Sequence, residues 1–185
     1  VYVGAMGDPF KPNDDRGLYR TTDGGETWEK ILFTNNQSGI ADLVIDPTNP
    51  NKLIAAVYEH RRTPYYFTSG GAGSGLFITH DGGKTWKQYT DADGLPPGEL
   101  GRIGLAIAPS DPNRIYAKIE ATENALYRSD NGGRSWYKIN DNPIANMIDI
   151  QTLQESVEVE CKLAGGRDGH GAVPNDMWET YSAFA

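Results

Sequence analysis

The stretch Gly75-Leu76-Phe77-Ile78-Thr79-His80-Asp81-Gly82-Gly83-Lys84-Thr85-Trp86 decides the fold, because it occurs three times. It aligns without gaps to Gly17-Leu18-Tyr19-Arg20-Thr21-Thr22-Asp23-Gly24-Gly25-Glu26-Thr27-Trp28 and to Ala125-Leu126-Tyr127-Arg128-Ser129-Asp130-Asn131-Gly132-Gly133-Arg134-Ser135-Trp136. Every copy reads S/T-x-D/N-x-G-x-S/T-W. Two adjacent glycines supply the positive φ that a tight hairpin needs, and the acidic residue before them accepts hydrogen bonds from the turn's own amides. The tryptophan then opens the next strand with a large apolar side chain, about 200 Å² of surface to pack over the turn or against a neighbour. Asn131 keeps the acceptor and loses only the charge. Asp23, Asp81 and Asn131, with Trp28, Trp86 and Trp136, are therefore expected to be structural, since an acid or a hard metal ligand would be weakened by that exchange.

Working outward, Leu43-Val44-Ile45-Asp46-Pro47-Thr48-Asn49-Pro50-Asn51-Lys52-Leu53 matches Leu105-Ala106-Ile107-Ala108-Pro109-Ser110-Asp111-Pro112-Asn113-Arg114-Ile115. The hairpin is thus embedded in a longer unit. The three tryptophans recur at intervals of 58 and 50 residues, the size of a four-stranded propeller blade. One unit reads as strand A over 40–45, a Pro-Asn turn, strand B over 53–57, a variable loop, strand C over 76–79, the Gly-Gly turn and strand D over 85–89. The expected fold is all-β: a partial β-propeller of about three four-stranded antiparallel blades over residues 1–143, the first lacking its strand A, then a short non-repeat extension over 144–185.

Composition agrees. The chain has 22 Gly, 11 Pro and 10 Tyr, which suits short strands and tight turns. A formal charge of -8 argues against a nucleic-acid partner, because phosphate binding needs a concentrated basic face. No apolar run approaches the roughly 20 residues that span a bilayer. The single cysteine, Cys161, permits no internal disulfide. His60, His80 and His170 lack metal-ligand spacing, so neither metal nor cofactor is expected.

On these residues the chain resembles the Asp-box, or bacterial neuraminidase, repeat proteins: sialidases, xyloglucan-type endoglucanases and the sortilin ectodomain. The cadence of Gly-Leu-Tyr-Arg before the box, with Asp-Pro-x-Asn-Pro turns, is most similar to the sortilin-like and endoglucanase-like bacterial propellers. The resemblance implies a secreted or periplasmic setting and leaves the function open.

In an antiparallel blade the A–B and C–D turns leave from one end, so the B–C and D–A connections emerge at the other, where propellers bind ligands. The B–C connections span residues 6–16, 58–74 and 120–124, and their unequal length suggests function. The longest contains Glu59, His60, Arg61, Arg62, Tyr65 and Tyr66, aromatics beside polar hooks that suit sugar rings or a peptide. The bland alternative is that these aromatics cover the end of the blades while an arginine pairs with an acidic loop. Glu99 and Arg102 are the polar candidates of the D–A connection. In the tail, residues 156–163 alternate like a strand and 174–184 suit a short helix, with a Gly-rich hinge between them.

Two functions remain, with a third idea beside them. The first is a binding or scaffold segment recognising a glycan or a protein through its B–C and D–A loops. The alternative is a fragment of a glycoside hydrolase, endoglucanase-like more than sialidase, which would need two flanking carboxylates. A sialidase is disfavoured because no arginine triad is seen and Gly101-Arg102-Ile103-Gly104 departs from Arg-Ile-Pro at the proline. Either way, fewer than four blades cannot close a ring, so further blades or an oligomeric partner are expected. The balance falls on binding rather than catalysis.

Overall fold

A computed structural model describes residues 1–140; the boundary expected at 143–144, and the strand, hinge and helix expected beyond it, lie outside the described residues. The described chain is all-β apart from one 3-10 turn. Blade 1 contains β1 (Tyr2–Ala5), β2 (Gly17–Arg20) and β3 (Glu29–Leu32). Blade 2 contains β4 (Ser38–Asp46), β5 (Asn49–Arg62), β6 (Phe67–Ser69), β7 (Gly75–Thr79) and β8 (Lys87–Tyr89). After the 3-10 turn Asp91–Asp93, blade 3 follows as β9 (Ile103–Ile107), β10 (Ile115–Ile119), β11 (Ala125–Ser129) and β12 (Tyr137–Lys138).

The sheets run β1-β2-β3, β4-β5-β7-β8 and β9-β10-β11-β12, every pairing antiparallel. That is the A-B-C-D order of a propeller blade twice over, and three quarters of it once. The strand period of two explains how the blades stack. In β5, Ile54 and Ala56 join Leu76 and Ile78 of β7 in one cluster with Ile115, Ala117, Tyr127 and Trp136 of blade 3. The alternate residues Ala55 and Val57, with Phe77, join Leu18 and Leu32 of blade 1. Blade 2 is thus buried on both faces, which is why residues 53–57 read as a continuous apolar run rather than an alternation. Near the first strands, Asp42 accepts a hydrogen bond from the Leu105 amide at 2.8 Å, tying β4 to β9.

At one end of the blades the Gly-Gly turns meet the A–B turns. Gly82 N donates to Asn51 O and Gly132 N to Asn113 O, each at 2.9 Å, so the two ends repeat in register. Gly82 and Gly83 have φ of +74° and +91°, and a Cβ on Gly83 would meet Ile31 at 2.6 Å. Glycine is required there for both conformation and space. Within the turn, Asp81 accepts from Thr85 N–H at 2.9 Å, from Thr85 O–H at 2.6 Å and from Thr79 O–H at 2.7 Å. These hold its carboxyl well below the usual carboxylate range, Thr85 contributing most. Asp23 is held down in the same way by Thr27. Asn131 occupies the same place: its Oδ1 accepts from Ser135 N at 3.0 Å and its amide donates to Ser135 Oγ at 2.7 Å.

One expectation needs revision. Residues 58–74 do not form a plain loop. Strand B runs on to Arg62 and pairs with β6 through His60 with Ser69, Arg61 with Thr68 and Arg62 with Phe67. A β-hairpin therefore projects beyond blade 2.

Candidate functional site

The hairpin stands on the end of the blades from which the B–C and D–A connections emerge. Its turn is closed by Thr63: the backbone N donates to Tyr66 O at 2.9 Å, and Oγ1 accepts from Tyr66 N at 3.1 Å. Pro64 fits this turn because it fixes φ and asks for no donor partner. Three consecutive aromatics follow, all exposed: Tyr65 at 95%, Tyr66 at 61% and Phe67 at 48%. The Arg62 guanidinium lies 5.3 Å over the Phe67 ring, an attraction that orients the ring. Phe10 from the blade 1 connection is exposed as well, and Arg62 N donates to Pro9 O at 2.8 Å, joining that connection to the hairpin.

At the hairpin's base, Ser69 and Gly70 form one wall of a cavity of about 410 Å³. Glu99, Leu100 and Gly101 of the D–A connection and Glu120 at the end of β10 line the rest, with Ala121 and Thr122. Two carboxylates thus share one cleft. Glu120 is held rigidly, because its Oε2 accepts from Ser69 O–H and from Arg102 N–H, both at 2.8 Å. Gly101 N donates to Glu120 O at 2.7 Å and Gly71 N to Leu100 O at 3.3 Å, lacing the walls together. Tyr58 O–H and Ser69 Oγ are 2.7 Å apart. The one serine proton serves the carboxylate, so the phenol donates to the serine and a Tyr58–Ser69–Glu120 chain results. Burial pushes the Tyr58 hydroxyl up, and Glu120 adds to that.

The residues singled out from sequence separate into three groups. Glu99 and Arg102 stand at the cleft, Arg102 through its backbone. Tyr65, Tyr66, Arg61 and Arg62 are on the projecting hairpin. Glu59 and His60 turn elsewhere. Glu59 Oε2 accepts from Gly73 N at 2.8 Å and its own N–H donates to Ser74 Oγ at 2.9 Å, closing the return to β7. His60 is buried against Arg16. Glu120, Ser69 and Arg16 were missed. Glu120 sits in the shortest connection, and no local pattern marks it; only the pairing of β5 with β6 brings Ser69 to it. Among the described residues no group of three or more His, Cys, Asp or Glu is placed to hold a metal ion, and no helix is long and apolar enough to cross a membrane.

Successive antiparallel blades, buried face to face and carrying a hairpin and cleft at one end, define a segment of a β-propeller. The chain belongs to the Sortilin-Vps10 family, whose model, described as sortilin, neurotensin receptor 3, matches residues 16–162. It is 29% identical over 161 residues to a probable oligoxyloglucan-reducing end-specific xyloglucanase of Neosartorya fischeri, covering 77% of this chain and 18% of that protein. It is 24% identical over 201 residues to a xyloglucanase of Paenibacillus sp, covering 96% of this chain and again 18% of the relative. Among solved structures, an ancestral GH74 enzyme matches 77% of this chain and 18% of its own at 22% identity and a TM-score of 0.52, a likeness of fold. The chain therefore spans under a fifth of the relatives it matches.

Proposed function

We propose that the chain is a segment of a polysaccharide-acting propeller of the xyloglucanase kind, and that its hairpin and cleft grip a neutral β-linked glycan. The observation that carries this reading is the placement of two carboxylates, Glu99 and Glu120, in one cleft at the foot of a hairpin bearing exposed Tyr65, Tyr66 and Phe67. Sugar rings stack their C–H faces on aromatics and present hydroxyls to carboxylates. A polyanionic glycan would meet those carboxylates and a chain of net charge -8, so a neutral polymer is favoured. The names of the relatives supply the substrate class. A secreted or periplasmic setting follows, since such polymers lie outside the cell. Further blades of a longer chain, or a partner, would complete the propeller.

Binding without turnover is the second reading, favoured by one observation. Glu120 Oε2 already accepts two hydrogen bonds, which suits a fixed ligand hook better than a proton donor. Incubating the chain with xyloglucan oligosaccharides while following both binding and reducing-end release separates the two. Release abolished by Glu99→Gln or Glu120→Gln supports a hydrolase segment. Binding without release, weakened by the same changes, supports the binding segment. Neither binding nor release refutes the proposal.

A further inference from the structure

The hairpin is anchored by a buried cation. Arg16 is only 1% exposed, although it is a side chain that normally keeps its head in water. Its Nη1 donates to Gln37 O at 2.9 Å, its Nη2 donates to Asp8 O, and Nη1 lies 3.3 Å from His60 Nδ1. His60 N donates to Gln37 O at 3.4 Å and Arg62 N to Pro9 O at 2.8 Å. The blade 1 connection, the link from blade 1 to blade 2 and the hairpin thus converge on one guanidinium. A guanidinium only donates, so His60 Nδ1 has to present a lone pair and the ring is neutral in this arrangement.

We propose that Arg16 and His60 form a proton-sensitive latch, holding the hairpin against the blade 1 connection while His60 is neutral and releasing it when the ring is protonated. The inference rests on the reading of hairpin and cleft as a glycan site, which it supplies with regulation. Protonation turns the nitrogen that faces Arg16 from an acceptor into a donor, so two cations meet at a buried site. The His60 ring is 6% exposed and stacks on Tyr58 at 5.0 Å, which leaves it no room to turn away without unstacking. Arg16 Nε has no partner among the described residues, so the guanidinium is not fully satisfied even while His60 is neutral.

The surrounding charges set the direction. Burial most strongly, then Arg16 and Arg62, oppose the protonated ring, while the Tyr58 carbonyl favours it. Asp8 and Glu59 face Arg16 and favour its charge, against a burial that pulls it down. The balance leaves His60 below the ordinary histidine value of 6.5. An unfolded or released chain therefore binds the proton more readily, and the latch is complete above pH 6.5 and weakens as pH falls below it.

The test uses the full chain. His60 is titrated by the ring proton shifts in NMR, and protection of the Arg62 amide is compared between pH 7 and 5 after correction for intrinsic exchange. The account expects His60 to titrate below 6.5 and Arg62 protection to be lost as pH falls from 7 to 5. His60→Gln, whose Oε1 accepts from Arg16 at every pH, is expected to keep that protection. A His60 that titrates at 6.5 or above, or an equal loss in His60→Gln, overturns the latch; the ring titration decides even if the variant does not fold. Affinity for a xyloglucan oligosaccharide is measured alongside. Absence of binding at both pH values sinks the glycan reading while Arg62 protection still decides the latch.

Discussion

Trp28, Trp86 and Trp136 hold equivalent places in the repeat and are unequal in the structure. Trp136 is 4% exposed, donates Nε1–H to Gly133 O at 3.1 Å and joins the cluster shared by blades 2 and 3. Trp28 makes the same bond to Gly25 O at 3.1 Å yet is 44% exposed. A large-to-small change is costly in proportion to the packing removed, so Trp136→Ala is expected to destabilise by about 3–5 kcal/mol and Trp28→Ala by less than about 1. Urea unfolding of both variants checks this; equal losses contradict it. The boxes themselves make a pH prediction. Asp81 is held below the ordinary carboxylate value of 3.8, so its contribution is present above that pH and is lost as pH falls below it. Asp81→Asn, which copies what blade 3 has at Asn131, is expected to fold and to show a smaller drop in urea midpoint between pH 5 and 3 than the natural chain.

At the scale of elements, the turns decide more than the strands. Gly83→Ala would force a side chain into φ +91° and against Ile31, and we expect a loss of about 1–3 kcal/mol by thermal or urea unfolding. The A–B turn of blade 2 carries a second vulnerability. Asp46 and Lys52 form an ion pair at 3.2 Å with 6% and 8% exposure, and Lys52 also reaches Pro112 O in blade 3 at 3.4 Å. Burial works against the Asp46 charge, but Thr48 and Lys52 outweigh it and hold its pKa below the ordinary range. Asp46→Ala leaves a buried ammonium without its counter-charge and is expected to destabilise by about 3–5 kcal/mol, whereas replacing both residues with apolar ones recovers most of that. Blade 2's elements were largely legible because repeat alignment reveals a register that local propensity cannot. The β5–β6 hairpin was not: its Gly-Ser return from Ser69 to Ser74 looks like a loop, and the pairing of Arg62 with Phe67 is a property of the partner strand. Arg16 was equally hidden, since nothing local marks an arginine as buried.

At the scale of the molecule, the two faces of blade 2 show why three repeats make a stable stack: each apolar face has a neighbour to cover it. Blade 1 turns Val1, Val3 and Trp28 outward among the described residues. The end carrying the hairpin is different in kind, because Tyr65, Tyr66, Phe67 and Phe10 are exposed on backbone that hydrogen bonds hold in place. Exposed aromatics beside a polar cleft suit the sugar polymer proposed above. The most direct measurement is calorimetric titration of the chain with a xyloglucan oligosaccharide, comparing it with the Tyr65→Ala, Tyr66→Ala double variant. The account predicts saturable binding that weakens about tenfold, or about 1.4 kcal/mol, in the double variant. No heat of binding, or equal affinity in the two proteins, would contradict it.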